Sequence, residues 1–228
     1  MRDIISYRPR PSDLMDNPYL EEVISLRKRL RADGRLSPEA MLAHRREFTE
    51  RYAFSVPTPD VLGMVALYSP IVEIGAGSGY WARCLSRAGA DVVAYDKTPP
   101  DDALPWPWGG WEEMNPWFDA EYFPVRTGDE TAAALHPGRS LLLCWPLYDH
   151  PMASRALAAY VEAGGRTLIY IGDPASSGDA GFHEERQVLT LLGRLKIWGW
   201  PGIDDWAEVR RVRAPGQPAA PGGGFCER

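Results

Sequence analysis

Residues 71–81 read Ile71-Val72-Glu73-Ile74-Gly75-Ala76-Gly77-Ser78-Gly79-Tyr80-Trp81. A short β-branched run closes on an acid, and three glycines then alternate with small residues. An apolar run entering a glycine-rich turn reads as a buried strand feeding the start of a helix. Glycine tolerates positive φ and lets a ligand approach the backbone. The first N–H groups of the helix have no partner within it and point over the turn. The stretch therefore predicts a site for a nucleotide-like ligand at the end of the first strand.

The rest of the chain alternates in the same sense. Asp91–Asp96 reads as a second strand, Pro124–Arg126 as a short third and Ser140–Trp145 as an apolar fourth. Thr167–Ile171 reads as a fifth. Helical patterns fall at 80–88, 130–135, 153–163 and 181–192. Strands alternating with helices imply a parallel sheet covered on both faces. Strand four lacks alternation, as expected of a strand buried on both sides. Segments 195–198 and 207–212 read as a closing antiparallel hairpin around Pro201-Gly202. Before the first strand, helices are expected from Asn17 or Pro18 to about Arg31, from Pro38 to about Tyr52, and from Thr58 or Asp60 to Leu67. Ser37 is the N-cap of the second, with proline at the first helical position. The organisation expected is an N-terminal helical extension or lid over 1–65, a main domain over 66–213 with an aromatic insertion at 98–123, and a disordered Pro/Gly-rich tail over 214–228.

Composition narrows the class. With 228 residues, 45% hydrophobic and 25% charged, the chain fits an ordinary soluble globular protein. Its net charge of −6 argues against a nucleic-acid-binding surface. The dense basic run Arg27–Arg31 spreads around a helix as a solvated face. Three scattered cysteines form neither a disulfide framework nor a zinc pattern, so no metal is expected. No signal peptide and no membrane-spanning run is evident, so the expected place is a reducing cytoplasm. The oligomeric state is not legible.

Two cofactor readings compete for the glycine turn. A nicotinamide or flavin turn wants a third small residue where this chain has Tyr80. The spacing E-x-G-x-G-x-G, from Glu73 to Gly79, instead resembles the first motif of class I S-adenosylmethionine-dependent methyltransferases. Asp96 stands about twenty residues on, where an acid can accept from both ribose hydroxyls. Gly128-Asp129 and the glycine pair Gly164-Gly165 extend the similarity over about residues 56–213. The resemblance implies a Rossmann-like, mostly parallel seven-stranded sheet with S-adenosylmethionine as cofactor. It also implies cofactor contacts by Glu73, Gly75, Ala76, Gly77, Gly79, Asp96, Lys97, Gly128, Asp129 and Trp145. Asp129 has a second reading, as a helix cap.

Strand four runs into Cys144-Trp145-Pro146-Leu147-Tyr148-Asp149-His150. This is similar to the N-P-P-Y motif of amino-methylating relatives, but Trp145 replaces the Asn or Asp and Leu147 the second proline. It resembles the W-P-x-Y form of uncharacterised class I members, which implies no substrate. Trp donates through its indole N–H and cannot accept. Tyr148, Asp149 and His150 are the candidates for catalysis, with His150 as a general base. Trp106, Trp108, Trp111 and Trp117 of the insertion, with His183 after strand five, are candidates for substrate binding. His44 and His136 read as surface residues. The function expected is methyl transfer to a small, aromatic or amine-containing acceptor, on nitrogen or carbon. The alternatives are a protein or nucleic-acid-base methyltransferase and a non-catalytic cofactor-binding module.

Overall fold

Strand β1 (Ile71–Ile74) is buried along its whole length, and the sheet grows outward from it on both sides. The computed structural model describes residues 16–100, 117–118 and 120–212. Strands β2 (Val92–Asp96), β3 (Val125–Thr127), β4 (Ser140–Cys144), β5 (Thr167–Gly172), β6 (Thr190–Lys196) and β7 (Trp206–Arg211) complete one seven-stranded sheet. Its order is β3-β2-β1-β4-β5-β7-β6. The first five strands are parallel, and β7 runs antiparallel between β5 and β6. The chain thus builds outward from β1 on one side, then crosses to β4 on the other. In an open α/β sheet that switch point leaves a crevice beyond the carboxyl ends of the two strands. The fold is the expected Rossmann-like one.

Strand β4 explains why its sequence lacks alternation. Leu142 packs into the core on one face, and Leu141 and Leu143 into the core on the other. Both faces are covered, so both sets of side chains are apolar. One face carries α6 (Met152–Glu162) and α7 (Ala180–Val188) through Ala156, Leu157, Tyr160 and Phe182. The other carries α5 (Tyr80–Arg87) together with the N-terminal helices.

Those N-terminal helices are α1 (Pro18–Ala32), α2 (Pro38–Leu42), α3 (Arg45–Arg51) and α4 (Pro59–Ala66). Their apolar stripe, including Tyr19, Val23, Leu26 and Leu30, belongs to the same core as Ile71 and Ile169. Polar ties fasten them to the glycine turn. The Tyr80 hydroxyl donates to Asn17 Oδ1 (3.0 Å) and accepts the Tyr19 N–H (3.0 Å). The Trp81 indole donates to the Ser55 carbonyl (3.1 Å), and the Ser78 hydroxyl donates to the Tyr52 carbonyl. Tyr80, which breaks the dinucleotide pattern, is thus one of three residues that join the turn to the N-terminal segment.

Three boundaries differ from expectation. The helix expected over 38–52 is two, broken at Ala43–His44. The helix expected to reach 192 stops at Val188, because Leu189 is extended (ψ 152°) and Thr190–Lys196 pair along β7. The hairpin's first strand consequently starts at Thr190 rather than 195. His136, expected at the surface, is half-buried and hydrogen-bonded to the Tyr95 hydroxyl at 2.9 Å. The tail expected over 214–228 lies outside the described residues. Among the described residues no helix is long and apolar enough to cross a membrane.

A buried ionic knot holds the β5–β7–β6 edge. Glu208 of β7 is buried and meets Arg186, Arg194 and Arg210. Burial pushes its carboxyl up, but the Arg210 hydrogen bond and the charges of Arg186 and Arg210 outweigh that and hold it below its ordinary value.

Candidate functional site

A cavity of about 520 Å³ opens at the carboxyl ends of β1, β2 and β4. That volume is in the range of small-molecule sites. Its floor is the glycine turn. Gly75, Gly77 and Gly79 all sit at positive φ (72°, 54° and 69°), which accounts for glycine at each alternate position. A side chain at Gly75 would meet the Met152 methyl, and one at Gly77 the Phe118 ring.

Of the first N–H groups of α5, expected to point free over the turn, that of Tyr80 donates to Ser78 Oγ (3.3 Å) and that of Ala82 to the Glu73 carboxyl, and the turn's own donors are engaged as well. The N–H groups of Gly75 and Ala76 both donate to the Tyr95 carbonyl (2.8 and 2.9 Å). That of Gly77 donates to Asp96 Oδ2 (2.8 Å), and that of Gly79 to the Ala76 carbonyl (2.9 Å). The turn is clamped onto the end of β2 by its own donors. It is not a nest of N–H groups waiting for phosphate.

Carboxyl groups face the cavity instead. Glu73 lies at 1% exposure, and its Oε2 is buried without a hydrogen-bond partner. Burial pushes this carboxyl up to about 8, against the pull of the Ala82 N–H. Burial also raises Asp96, whose Oδ1 and Oδ2 accept from Thr98 (3.0 Å) and Gly77. Asp129 caps the 3-10 helix Glu130–Leu135 by accepting from the Thr131 hydroxyl and N–H (2.6 and 2.9 Å), which lower its pKa. It lines the cavity as well, so the cap reading holds without removing Asp129 from the site.

The raised Glu73 gives a test of the geometry. Its folded value lies above its unfolded value, so the stability it contributes is present at low pH and is lost as pH rises through the folded value. Glu73→Gln is expected to raise thermal stability near pH 8 by at least ~1 kcal/mol, or ~2–4 °C in Tm. The gain should vanish below the ordinary value of 4.5. Calorimetric melts of both proteins across that pH range check it.

A second wall of the cavity is built by β4 and the segment 145–152 after it. Trp145 adopts φ 49°, a conformation that is strained for a bulky residue. It is held there from several sides. Its N–H donates to the Ile171 carbonyl (2.7 Å) and its indole N–H to Asp205 Oδ1 (3.0 Å). Phe54 stacks on its ring at 5.6 Å, and the Arg45 guanidinium lies 5.4 Å from the ring centre. Burial pushes the Asp205 carboxyl up to about 6. Trp117 and Phe118 meet Phe54 edge-on at 5.5 and 5.9 Å. Tyr148 lies at the cavity mouth with 67% exposure. Burial, with Glu73 and Asp205 nearby, holds the Cys144 thiol well above its ordinary value, so it lines the cavity protonated.

The cavity brings together Glu73, Gly75, Ala76, Gly77, Asp96, Lys97, Gly128 and Asp129 with Trp117, Trp145, Tyr148 and His150. Three expected residues do not line it. Gly79 faces Phe123 and Val125. Asp149 is an exposed turn residue (φ 51°) whose N–H donates to the Gly178 carbonyl. His183 bonds the Ser177 carbonyl through Nε2 (2.7 Å) and Arg186 through Nδ1 (3.2 Å), and packs on Tyr170, so its ring serves the protein interior. Trp106, Trp108 and Trp111 lie outside the described residues. The sequence reading missed Phe54, Met152 and Ser176 in the wall, and Asp205 behind it. Phe54 carried a faint signal, as an aromatic residue in the proline-rich break before α4.

Among solved structures the chain is similar to magnesium protoporphyrin IX methyltransferase from Synechocystis PCC 6803 with bound SAM, at 14% identity and a TM-score of 0.39, over 92% of this chain and 89% of that one. It is similar also to the N-methyltransferase NodS from Bradyrhizobium japonicum WM9, at 15% identity and a TM-score of 0.38, over 63% of this chain and 85% of that one. A third is the mitomycin 7-O-methyltransferase MmcR, at 14% and 0.38, over 85% and 67%. No protein-family model and no curated protein matches the sequence. Likenesses this distant leave the chemistry to the chain's own residues.

Proposed function

We propose that the chain is an S-adenosylmethionine-dependent methyltransferase acting on a small, flat acceptor. The observation that carries this reading is the inversion of polarity at the glycine turn. The N–H groups of Gly75, Ala76, Gly77 and Gly79 are engaged internally, and the carboxyl groups of Glu73, Asp96 and Asp129 line the cavity. A dinucleotide needs donors for its pyrophosphate. S-adenosylmethionine has no phosphate. It brings an ammonium, two ribose hydroxyls, an adenine amino group and a sulfonium as donors or cations, and one carboxylate in place of a pyrophosphate.

The residues present fit that ligand. The unpartnered Glu73 Oε2 would receive the ammonium. Asp96 would hold the ribose hydroxyls through its remaining lone pairs, and Asp129 faces the adenine end. The sulfonium supplies an electrophilic methyl carbon. The chain's own task is then to exclude water and to align the acceptor, with its nucleophile about 3 Å from the methyl carbon. Phe54, Trp117, Phe118 and Trp145 supply the dry wall, and Tyr148 the mouth. The same wall supports a small aromatic acceptor over a protein or nucleic-acid segment.

Incubating the protein with methyl-labelled S-adenosylmethionine and metabolite extracts, followed by identification of the labelled product, tests the activity. Labelling of small molecules is expected. Label appearing only in protein or nucleic acid would overturn the acceptor class. With an acceptor in hand, Tyr148→Ala is expected to raise its KM by roughly tenfold, through the loss of an aromatic contact of ~0.5–1.5 kcal/mol plus buried area, and to leave S-adenosylhomocysteine affinity unchanged. Equal losses in both would remove Tyr148 from the acceptor side.

A further inference from the structure

We infer that the cavity takes up its cofactor by exchange: a proton leaves Glu73 for solvent as the ligand's ammonium arrives, so that binding and proton release are coupled. The inference rests on the methyl-transfer reading above and goes further, to what controls occupancy of that site.

Glu73 sits between Val72 and Ile74 in a strand that is buried along its whole length. Its carboxyl accepts the Ala82 N–H of α5, while Oε2 is buried without a hydrogen-bond partner in the wall of the cavity. A carboxylate so placed has lost its water and gained no counter-charge. The groups around it do not supply one. Asp96 of β2 is negative and adds to the effect of burial. The Cys144 thiol of β4 and the Cys84 thiol of α5 are both held up by burial, with Glu73 adding to it, so both stay protonated and neutral. Lys97, Asp129, Glu130 and His150 line the same cavity. Burial, with Asp96, outweighs the Ala82 N–H and lifts the Glu73 carboxyl to about 8. At neutral pH it therefore carries a proton before the ligand enters.

The ligand reverses the balance at one point. Its ribose and adenine are uncharged at neutral pH and its carboxylate is negative, whereas its α-amino group is an ammonium. An opposite charge within about 4–6 Å favours the ionised form of a buried acid. The Glu73 O–H bond then breaks, its electron pair stays on oxygen, and the proton passes to solvent. A neutral acid and an ammonium enter the pair, and the pair holds one proton fewer. Where the remaining protons sit, on nitrogen or on oxygen, does not alter that count. Release favours binding as pH rises, so below the Glu73 value the exchange adds up to about tenfold in affinity per pH unit.

Titration calorimetry with S-adenosylhomocysteine, whose one cation is the ammonium, tests this on the full chain. Runs at about pH 7 in phosphate and in Tris, buffers of different ionisation enthalpy, give the number of protons released. Wild type is expected to release at least about half a proton more than Glu73→Gln, and its affinity is expected to rise more steeply than the variant's between about pH 6 and about pH 7. A proton that Asp96 gives up to the ribose is released by both proteins and cancels in the comparison. Gln stands in for the proton-bearing acid, so the variant should keep its affinity at pH 7 within about tenfold, the cost of discharging a group one unit above the working pH. Equal release by the two proteins, net proton uptake by wild type, or complete loss of binding in Glu73→Gln would each overturn the inference. Failure of wild type to bind S-adenosylhomocysteine would instead strike the methyl-transfer reading beneath it.

Discussion

Asp96→Ala is expected to weaken S-adenosylhomocysteine binding by roughly 10- to 150-fold, the 1.5–3 kcal/mol of hydrogen bonds to a charged group. Asp96 works on both sides of the turn. Its oxygens accept the Gly77 and Thr98 N–H groups and so fix the floor of the cavity. Their remaining lone pairs are the ones proposed to receive the ribose hydroxyls. Alanine removes both functions and leaves the Gly77 N–H without its partner. Asn is not a full rescue, because its amide group would turn a donor toward one of the two N–H groups. Burial raises this carboxyl, so wild-type affinity should fall as pH drops through the raised value, and the Ala variant should lack that dependence. Titration calorimetry at several pH values reads both effects.

Glu208→Ala is expected to cost about 3–5 kcal/mol of stability, the penalty for stranding one partner of a buried charge cluster. Three arginines converge on this carboxylate, and Arg186 is itself buried. In a chain of this size the loss corresponds to a fall in Tm of roughly 10 °C. The pH sign opposes that of Glu73. The folded value of Glu208 is lowered, so its stabilisation is complete above the ordinary carboxylate range. It is lost as pH falls through the lowered value. Melting curves from about pH 3 to about pH 7 should converge for wild type and variant at the acid end.

The sheet was legible because β4 writes its burial into an apolar run and β1 into one broken only by Glu73, and because glycine marks the backbone at Gly75, Gly77 and Gly79. The end of α7 was not, since Val188–Leu192 satisfies helical and strand patterns alike, and only pairing with β7 decides between them. The glycine-turn half of the cavity came from local spacing, from Glu73 to Asp96. The aromatic half did not. Phe54 and Asp205 reach Trp145 from distant parts of the chain, and nothing near Trp145 in sequence announces either contact. His183 misled for the same reason. Its position after β5 faces the right end of the sheet, but Ser177 and Arg186 turn its ring inward. The direction of the turn's N–H groups is likewise a property of β2, whose Tyr95 carbonyl receives two of them.

Everything proposed for the cavity depends on this glycine turn accepting a cationic, phosphate-free nucleoside rather than a dinucleotide. Isothermal titration of the protein with S-adenosylhomocysteine and, in parallel, with NADH tests it most directly. Saturable one-site binding of S-adenosylhomocysteine, weakened in Asp96→Ala, and no heat with NADH are predicted. Binding of NADH with silence toward S-adenosylhomocysteine would contradict it.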